Sequence, residues 1–263
     1  MARLALVTGA SSGIGEAYAE RLAADGWDLI LVARRRDRLE GLSRRLQGKH
    51  GIVARTREAD LTDTDQLTAL CVEAAEMELD LLVNNAALAH YMPFAELPLD
   101  TTRALVELDV LAPVLLTRAA ISGMVERGRG GIVNLASLLA FSGAWEGPHL
   151  PRRAVYASSK SFLVTFTQLL AIELRETGVR VQVVCPGVVH TEFHSRQGID
   201  LSAVPRMDPA AVVQASLLDL ERGIVVSIPG APDASSFQTL VAAGAGLQDL
   251  TRTVELPDRY VES

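Results

Sequence analysis

The chain has 263 residues, 49% of them hydrophobic, and a formal net charge of −7, so it can bury a sizeable core and is not expected to bind nucleic acid or acidic membranes. Its two cysteines, Cys71 and Cys185, are too few for a disulfide framework or a cysteine-rich metal site. It has no apolar run of the ~18 residues that a membrane span needs and no complete signal peptide, which together indicate a cytoplasmic protein.

Strand and helix patterns alternate along the chain. Leu4–Val7 is a short apolar run, typical of a buried strand, and a glycine-rich turn leads from it into a helix that ends near Ala24. The remaining strands are predicted at Leu29–Ala33, Ile52–Ala59, Leu79–Val83, Gly131–Leu135, Val179–Cys185 and Ile224–Ile228. The remaining helices are predicted at Arg34–Leu46, Asp63–Glu76, Asp100–Glu126, Val155–Thr177, Pro209–Glu221 and Ser235–Ala243.

This order predicts a parallel sheet with right-handed crossovers. We therefore expect one α/β domain over residues 1–263, with about seven strands and helices on both faces. Distinctive residues cluster where the predicted strands end, namely at Gly9, Asp60, Asn84, Ser137 and Pro186-Gly187. Because open parallel sheets bind ligands at the carboxyl ends of their strands, one site could collect all of them.

Three glycines, Gly9, Gly13 and Gly15, follow the first strand and open a helix. Glycine lets backbone N–H groups approach a pyrophosphate, which the helix N-terminus attracts. The spacing is G-x3-G-x-G, so on its own it fits either a dinucleotide site or a plain tight turn.

Tyr156 and Lys160 lie four residues apart on a predicted helix, and therefore on one face of it. A phenol has a reference pKa of about 10. A lysine ammonium beside it stabilises the phenolate, so the pair predicts a tyrosine of lowered pKa that exchanges protons with a substrate.

From about Arg3 to Gly230 the chain resembles the short-chain dehydrogenases/reductases. The motifs that carry this resemblance occur in the order of that family: Thr8-Gly-x3-Gly-x-Gly15, Asn84-Asn85-Ala86, Ser137, Tyr156-x3-Lys160 and Pro186-Gly187. The resemblance implies a doubly wound Rossmann sheet and a nicotinamide cofactor. It also implies that Tyr156 is the general acid/base, that Lys160 lowers its pKa and holds the ribose, and that Ser137 orients the carbonyl.

The same resemblance implies a set of cofactor contacts. Asp60-Leu61 matches the family's adenine-contacting pair, and the segment after Pro186-Gly187 matches the one that covers the nicotinamide. The family's N-N-A-G segment ends here in Ala87, which removes some backbone freedom. The implied cofactor-binding residues are Gly9, Ser11, Ser12, Gly13, Ile14, Gly15, Asp60, Leu61, Asn84, Ala86, Tyr156, Lys160, Pro186, Gly187, Val189 and Thr191.

The end of the second predicted strand bears on the choice of cofactor. An NAD site usually offers a carboxylate there, whereas the 2′-phosphate of NADP calls for arginine. Here Arg34 and Arg35 follow Ala33 directly. We therefore favour NADP(H) over NAD(H), with Arg34 as the first candidate and Arg35 as the second. The alternative is that these arginines form only the solvated start of a helix.

Asp109 stands where the family places an asparagine, whose backbone carbonyl holds a water linked to the lysine. Pro113, four residues later, has no N–H, so the carbonyl of Asp109 would lose its usual helical partner. We therefore include Asp109 in the catalytic set through its carbonyl, with a simple helix kink as the alternative.

Two segments are candidates for substrate contact. The loop Ser142–Arg153 makes the interval from Ser137 to Tyr156 longer than is usual in the family, and its Trp145, His149 and Leu150 would either line the pocket or lie on the surface. Residues 190–207 match the family's substrate lid. His190 and His194 have a spacing that metal pairs use, but the sequence offers no third ligand and we predict no metal.

The sequence thus predicts an NADP(H)-dependent oxidoreductase that interconverts a carbonyl and an alcohol in a small molecule, and that forms a homodimer or homotetramer. One alternative is an NAD-dependent alcohol, sterol or sugar dehydrogenase, or an acyl-thioester ketoreductase. The other is a dinucleotide-sensing Rossmann module, against which the complete Ser/Tyr/Lys set argues.

Overall fold

The computed structural model describes residues 3–146 and 150–248. Within these ranges seven strands form one sheet in the order β3-β2-β1-β4-β5-β6-β7, and every neighbouring pair is parallel. The order reverses between β1 and β4, as in doubly wound folds. The strands are β1 (Leu4–Thr8), β2 (Asp28–Ala33), β3 (Ala54–Glu58), β4 (Leu81–Asn84), β5 (Gly130–Leu135), β6 (Val179–Val184) and β7 (Val226–Ser227).

Helices flank the sheet on both faces, which confirms the predicted fold class. The helices of the described residues are α1 (Gly13–Ala24), α2 (Arg36–His50), α3 (Thr64–Glu76), α4 (Leu99–Val106), α5 (Ala112–Glu126), α6 (Ala154–Glu173), α7 (Pro209–Glu221) and, outside the unit that holds the sheet, α8 (Ser235–Gln248). Short 3-10 turns lie at Phe94–Glu96, Leu138–Phe141 and Ser195–Gln197.

Successive residues of a central strand enter different cores, because side chains alternate between the two faces of a sheet. Ala5 and Val7 of β1 belong to the core shared with α1, α2 and α7, whereas Leu6 belongs to the core shared with α3, α5 and α6. Both faces of the central strands are buried, and this explains why β1, β2 and β4 read as continuous apolar runs, whereas the edge strand β3 is largely polar and exposed.

Local signals explain several helix ends. The side chain of Asp63 caps α3 by accepting the backbone N–H groups of Asp65 and Gln66. Gly51 ends α2 with a φ of 69°, a left-handed conformation that glycine adopts without penalty. Several predicted ends were wrong: α2 runs on to His50 rather than Leu46, α8 runs on to Gln248 rather than Ala243, and α6 ends at Glu173 rather than Thr177. β7 is confined to Val226–Ser227.

The predicted long helix at Asp100–Glu126 is divided by a π turn at Glu107–Leu111, where the N–H of Ala112 donates to the carbonyl of Glu107. The sequence predicts the interruption at Pro113. Pro113 instead lies in the first turn of α5, where its missing N–H is tolerated.

By contacts the chain divides into two compact units, Met1–Pro229 and Gly230–Ser263. The first unit contains the sheet, and α8 belongs to the second. The extent of the predicted domain, 1–263, stays a prediction. In the part of the chain that the structure describes, no helix is long and apolar enough to cross a membrane.

Candidate active site

The glycine-rich turn is fixed to the end of β4. The hydroxyl of Thr8 accepts the backbone N–H groups of Asn85 and Ala86 at 2.9 and 3.0 Å. The side-chain amide of Asn85 donates in turn to the carbonyl of Thr8 at 2.8 Å. The sequence suggests no role for Thr8 or Asn85 individually, although both belong to the motifs that carry the family resemblance. They position the turn on which a dinucleotide would lie.

The turn leaves no room for side chains at its glycines. A Cβ on Gly9 would lie 2.7 Å from the amide nitrogen of Asn85, and a Cβ on Gly13 would lie 2.9 Å from the Cγ2 of Thr191. Both glycines also have positive φ angles, 65° and 60°. A bare backbone at the N-terminus of α1 suits a pyrophosphate, so these residues fit a dinucleotide.

Replacing Gly15 with alanine is expected to raise the Kd for the dinucleotide at least about tenfold and to destabilise the fold by about 1–3 kcal/mol. The new Cβ would overlap the Asn85 amide and lie 2.5 Å from the carbonyl oxygen of Gly9. Gly41→Ala is the matched control, because Gly41 lies in α2 with nothing within 4 Å of the added Cβ; it should stabilise the protein by about 0.5–1 kcal/mol. Fluorescence titration and thermal melts measure both, and unchanged binding in Gly15→Ala would contradict the close packing.

Asp60 belongs to the pair that is predicted to contact the adenine of the cofactor. Its carboxylate accepts the N–H and the hydroxyl of Thr62 at 3.0 and 2.8 Å and lies 3.6 Å from the guanidinium of Arg34. Burial raises the pKa of Asp60, but the bonds from Thr62 and the charge of Arg34 outweigh it and leave this pKa lowered. Arg34 is otherwise exposed.

Arg35 binds the glycine-rich turn itself. Its guanidinium donates to the hydroxyls of Ser11 and Ser12 at 2.8 and 2.7 Å. A third bond, of 2.8 Å, joins it to Glu192 in the segment after β6. Of the two arginines that the sequence singled out, the second therefore contacts the phosphate-binding turn.

Asn84 points into the protein. Its amide donates to the side-chain oxygens of Thr117 in α5 and Asn134 in β5, at 3.1 and 2.9 Å. The side chain is buried. These contacts fix the end of β4 against its neighbours, so any cofactor contact of Asn84 would be through its backbone.

Lys160 and Asp109 form a buried ion pair close to Tyr156. The ammonium lies 3.7 Å from the carboxylate, and the two side chains are 2% and 0% exposed. Lys160 also donates to the carbonyl of Leu135 at 3.2 Å, while Asp109 accepts the N–H of Leu88 at 3.0 Å. Asp109 thus meets the lysine through its side chain, whereas the sequence predicts a contact through its carbonyl; the carbonyl relay stays a prediction.

Tyr156 is buried in α6, with the Lys160 ammonium 5.5 Å from the centre of its ring. Burial raises the pKa of Tyr156 well above its ordinary value, the charges on Tyr91 and Asp109 raise it further, and only contact with Ser137 lowers it. The sequence predicts that Lys160 lowers this pKa. The net direction is the opposite, because burial dominates; the contribution of Lys160 itself stays a prediction.

Ser137 lies at the end of β5 and caps the short turn Leu138–Phe141. Its hydroxyl oxygen accepts the N–H of Leu139 at 3.1 Å, and the next residue, Leu138, donates its N–H to the carbonyl of Pro186 at 2.9 Å. A hydroxyl that already accepts one bond still has its proton to donate. The geometry therefore leaves Ser137 able to donate toward Tyr156 or a substrate oxygen.

Aromatic rings surround the tyrosine. Tyr91 meets Tyr156 edge-on at 5.7 Å between ring centres, and Phe193 lies 6.2 Å from it. His194 stacks on Tyr91 at 6.2 Å. Sequence reasoning missed Tyr91, because nothing in its local pattern distinguishes it from other loop residues. Burial raises the pKa of the Tyr91 phenol to about 12.

The loop before α6 is anchored by Arg153, whose guanidinium donates to the carbonyls of Ser142 and Trp145 at 2.8 and 3.0 Å. Trp145 itself is 72% exposed, which favours the surface alternative for this residue. His149 lies outside the described residues.

The segment after β6 borders a cavity of about 670 Å³ lined by residues that include Val189, Thr191, His194 and Arg206. Val189 also bridges to Met207, so the lid-like segment folds back on itself. Among the described residues, no three His, Cys, Asp or Glu side chains gather as metal ligands.

The sheet is parallel, and a glycine-rich turn opens its first helix. A serine, a buried tyrosine and a buried lysine lie at the same site. Together these features define a dinucleotide-dependent oxidoreductase. A family model described as short chain dehydrogenase matches residues 3–201. The chain belongs to the short-chain dehydrogenase/reductase family, and the protein is an NAD(P)-dependent oxidoreductase of carbonyl and alcohol groups.

Similar proteins agree with this family. A short-chain dehydrogenase from Sphingobium yanoikuyae, solved in complex with NADPH, is 34% identical with a TM-score of 0.92, over 98% of this chain and 100% of that one. A bulky-bulky ketone specific alcohol dehydrogenase from Comamonas testosteroni is 30% identical with a TM-score of 0.88, over 99% of each chain. The very-long-chain 3-oxoacyl-CoA reductase of Mus musculus is 35% identical over 72% of this chain and 60% of that protein.

Proposed function

We propose that the protein reduces ketones with NADPH, using Tyr156 as the proton donor. The observation that carries the proposal is the meeting of three groups at one site: the buried Tyr156 phenol, the Lys160 ammonium 5.5 Å from the centre of its ring, and the hydroxyl of Ser137. Burial raises the pKa of the phenol, so it keeps its proton at neutral pH. A protonated phenol is the form that carbonyl reduction needs, because the developing alkoxide must take up a proton.

The nicotinamide, when bound, supplies the hydride. Tyr156 gives its proton to the carbonyl oxygen, and the hydroxyl of Ser137 donates a hydrogen bond to the same oxygen. Lys160, held by Asp109 and the carbonyl of Leu135, provides the positive charge that balances the phenolate left behind. Burial of these groups excludes water from the proton transfer.

The preference for NADP(H) rests on the arginines beside the glycine-rich turn. Arg35 touches the serines of that turn, and Arg34 extends from the same strand end with no carboxylate of β2 beside it. The NADPH in the Sphingobium yanoikuyae structure supports the same choice.

The KM for NADPH is expected to be at least about tenfold below that for NADH, because a guanidinium pair recognises a phosphate strongly. Arg35→Gln should raise the KM for NADPH and leave the KM for NADH within about twofold. Arg44→Gln on α2 is the control, since Arg44 pairs only with Glu40 in the described residues. Steady-state kinetics with both cofactors measure the effect, and a wild-type preference for NADH would refute the proposal.

The substrate class is inferred from the walls of the site. Tyr91, Phe193 and His194 present ring faces and edges near Tyr156, and rings of this kind bind apolar, bulky groups. The specificity of the Comamonas testosteroni enzyme for bulky-bulky ketones supports this class. NADPH consumption should be screened with aryl ketones, small aldehydes and 3-oxoacyl thioesters; turnover of thioesters alone would move the proposal to the acyl-thioester class.

We also propose a homodimer or homotetramer. Apolar side chains stand exposed on α6, among them Leu169 at 56% and Ile172 at 59%. A groove between the Val106–Val110 region and α6 is lined mainly by apolar residues, including Val155 and Phe162. A second copy of the chain would cover such surfaces. Light scattering measures the mass in solution, and a monomer at micromolar concentration would oppose the proposal.

A further inference from the structure

Four charged side chains meet beside the phosphate-binding turn. The Oε1 atom of Glu192 accepts a bond of 2.8 Å from Arg35 and one of 2.9 Å from Arg38, and Arg196 also pairs with it. Arg35 precedes α2 and Arg38 lies in its first turn, while Glu192 and Arg196 belong to the segment after β6. Two separate parts of the chain therefore build this cluster.

The charges of the cluster do not balance. Three guanidinium groups share a single carboxylate, which leaves two positive charges uncompensated within it. Arg34 adds to this field, since its charge and those of Arg35 and Arg38 lower the pKa of Arg196, after the larger effect of burial. A phosphate monoester carries nearly two negative charges at neutral pH and offers three acceptor oxygens. It suits three guanidiniums better than one carboxylate oxygen does.

The cluster lies at the predicted phosphate site, because Arg35 bonds to Ser11 and Ser12 of the glycine-rich turn while it holds Glu192. Glu192 therefore fills the anion position between the arginines. Its side chain is 32% exposed and those of the arginines are 31–52% exposed. Ion pairs at this exposure are weak and screened by salt, so a stronger anion can replace the carboxylate.

We propose that Glu192 is an internal counter-ion for the 2′-phosphate site of NADP(H), and that the phosphate takes its place on Arg35, Arg38 and Arg196. Glu192 then weakens binding of every ligand with a 2′-phosphate and leaves ligands without one unaffected. Arg38 and Arg196 become specificity-determining residues for the cofactor. This inference rests on the NADP(H) preference proposed above.

The test measures binding without turnover. Isothermal titration compares 2′,5′-ADP with 5′-AMP, which differ only by the 2′-phosphate, in wild type, Glu192→Gln and Arg196→Gln. Glu192→Gln should lower the Kd for 2′,5′-ADP about threefold to fivefold, the range that freeing partly exposed ion pairs allows. Arg196→Gln should raise that Kd by a similar factor. The Kd for 5′-AMP should stay within about 1.5-fold in both variants.

Glu40→Gln is the matched control. Glu40 is a carboxylate on α2 that pairs with Arg36 and Arg44, so its loss changes the net charge equally but frees no arginine of the cluster. Its Kd values should equal those of wild type, and thermal melts verify that all variants fold.

The outcomes separate the two proposals. If wild type binds 5′-AMP as tightly as 2′,5′-ADP, the NADP(H) preference fails and the role of Glu192 fails with it. If wild type prefers 2′,5′-ADP but Glu192→Gln leaves its Kd unchanged or raises it, only the counter-ion role is overturned. An equal tightening in Glu40→Gln would also overturn it, since the effect would then be one of net charge.

Discussion

Tyr156→Phe is expected to lower kcat/KM for carbonyl reduction by about 10²–10⁴-fold, the usual contribution of a positioned general acid. The nearest cation cannot substitute, because the Lys160 ammonium is engaged with Asp109 and the carbonyl of Leu135. The phenyl ring fills the same buried space, so the fold and the Kd for NADPH should stay close to wild type. Stopped-flow reduction and a separate NADPH titration measure the two quantities.

Tyr18→Phe provides the control for this experiment. Tyr18 is also fully buried, and its phenol donates to the hydroxyl of Ser216 in α7. Loss of that hydroxyl should cost about 1 kcal/mol of stability with kcat/KM unchanged. Activity within tenfold of wild type in Tyr156→Phe would remove the tyrosine from its assigned role.

Asp109→Leu is expected to destabilise the protein by about 3–5 kcal/mol, because it leaves the Lys160 ammonium buried without a counter-charge. It also removes the acceptor of the Leu88 N–H. Asp109→Asn keeps a polar group of the same size and should cost less. Thermal and urea unfolding measure both, and equal stability of the leucine variant would mean that the ion pair contributes nothing to folding.

Asp109→Asn should also shift the pH dependence of catalysis. The Asp109 carboxylate raises the pKa of Tyr156, after the larger effect of burial, so its neutralisation lowers that pKa. Alcohol oxidation requires the deprotonated phenol, and its kcat/KM should therefore reach its plateau at lower pH in the variant. The other titratable groups near Tyr156 are Tyr91 and Lys160, which face its ring, and His194, which stacks on Tyr91. All three remain in the variant. A shift of the profile to higher pH would contradict the assigned role.

The sequence was sufficient for the centre of the sheet, because strands such as β1, β2 and β4 are buried on both faces and therefore appear as apolar runs followed by a turn. It was also sufficient to place Ser137, Tyr156 and Lys160 at strand ends or on one helix face. It ranked Arg34 above Arg35, whereas the guanidinium that reaches Ser11 across the turn is that of Arg35, which only the three-dimensional arrangement shows. It could not find Tyr91 or Glu192, whose neighbours in space come from distant parts of the chain.

Asp109 shows the same limit from another direction. Asp109 could be matched to the position where the family has an asparagine, but that match concerns only the backbone carbonyl. The contact with Lys160 depends on the direction of the Asp109 side chain, which lies within the π turn at Glu107–Leu111. No residue type in this segment predicts a π turn.

The π turn has a consequence for helical phase. Each residue of an α-helix advances the direction of its side chain by about 100°, and a wider turn accommodates one additional residue. Leu105 before the turn is fully buried, and the adjacent Val106 is 46% exposed. Deleting one residue from Glu107–Leu111 would rotate α4 by about one such step against α5. The π turn therefore sets the rotation of α4 relative to α5, so that Leu105 stays in the core while Asp109 faces Lys160.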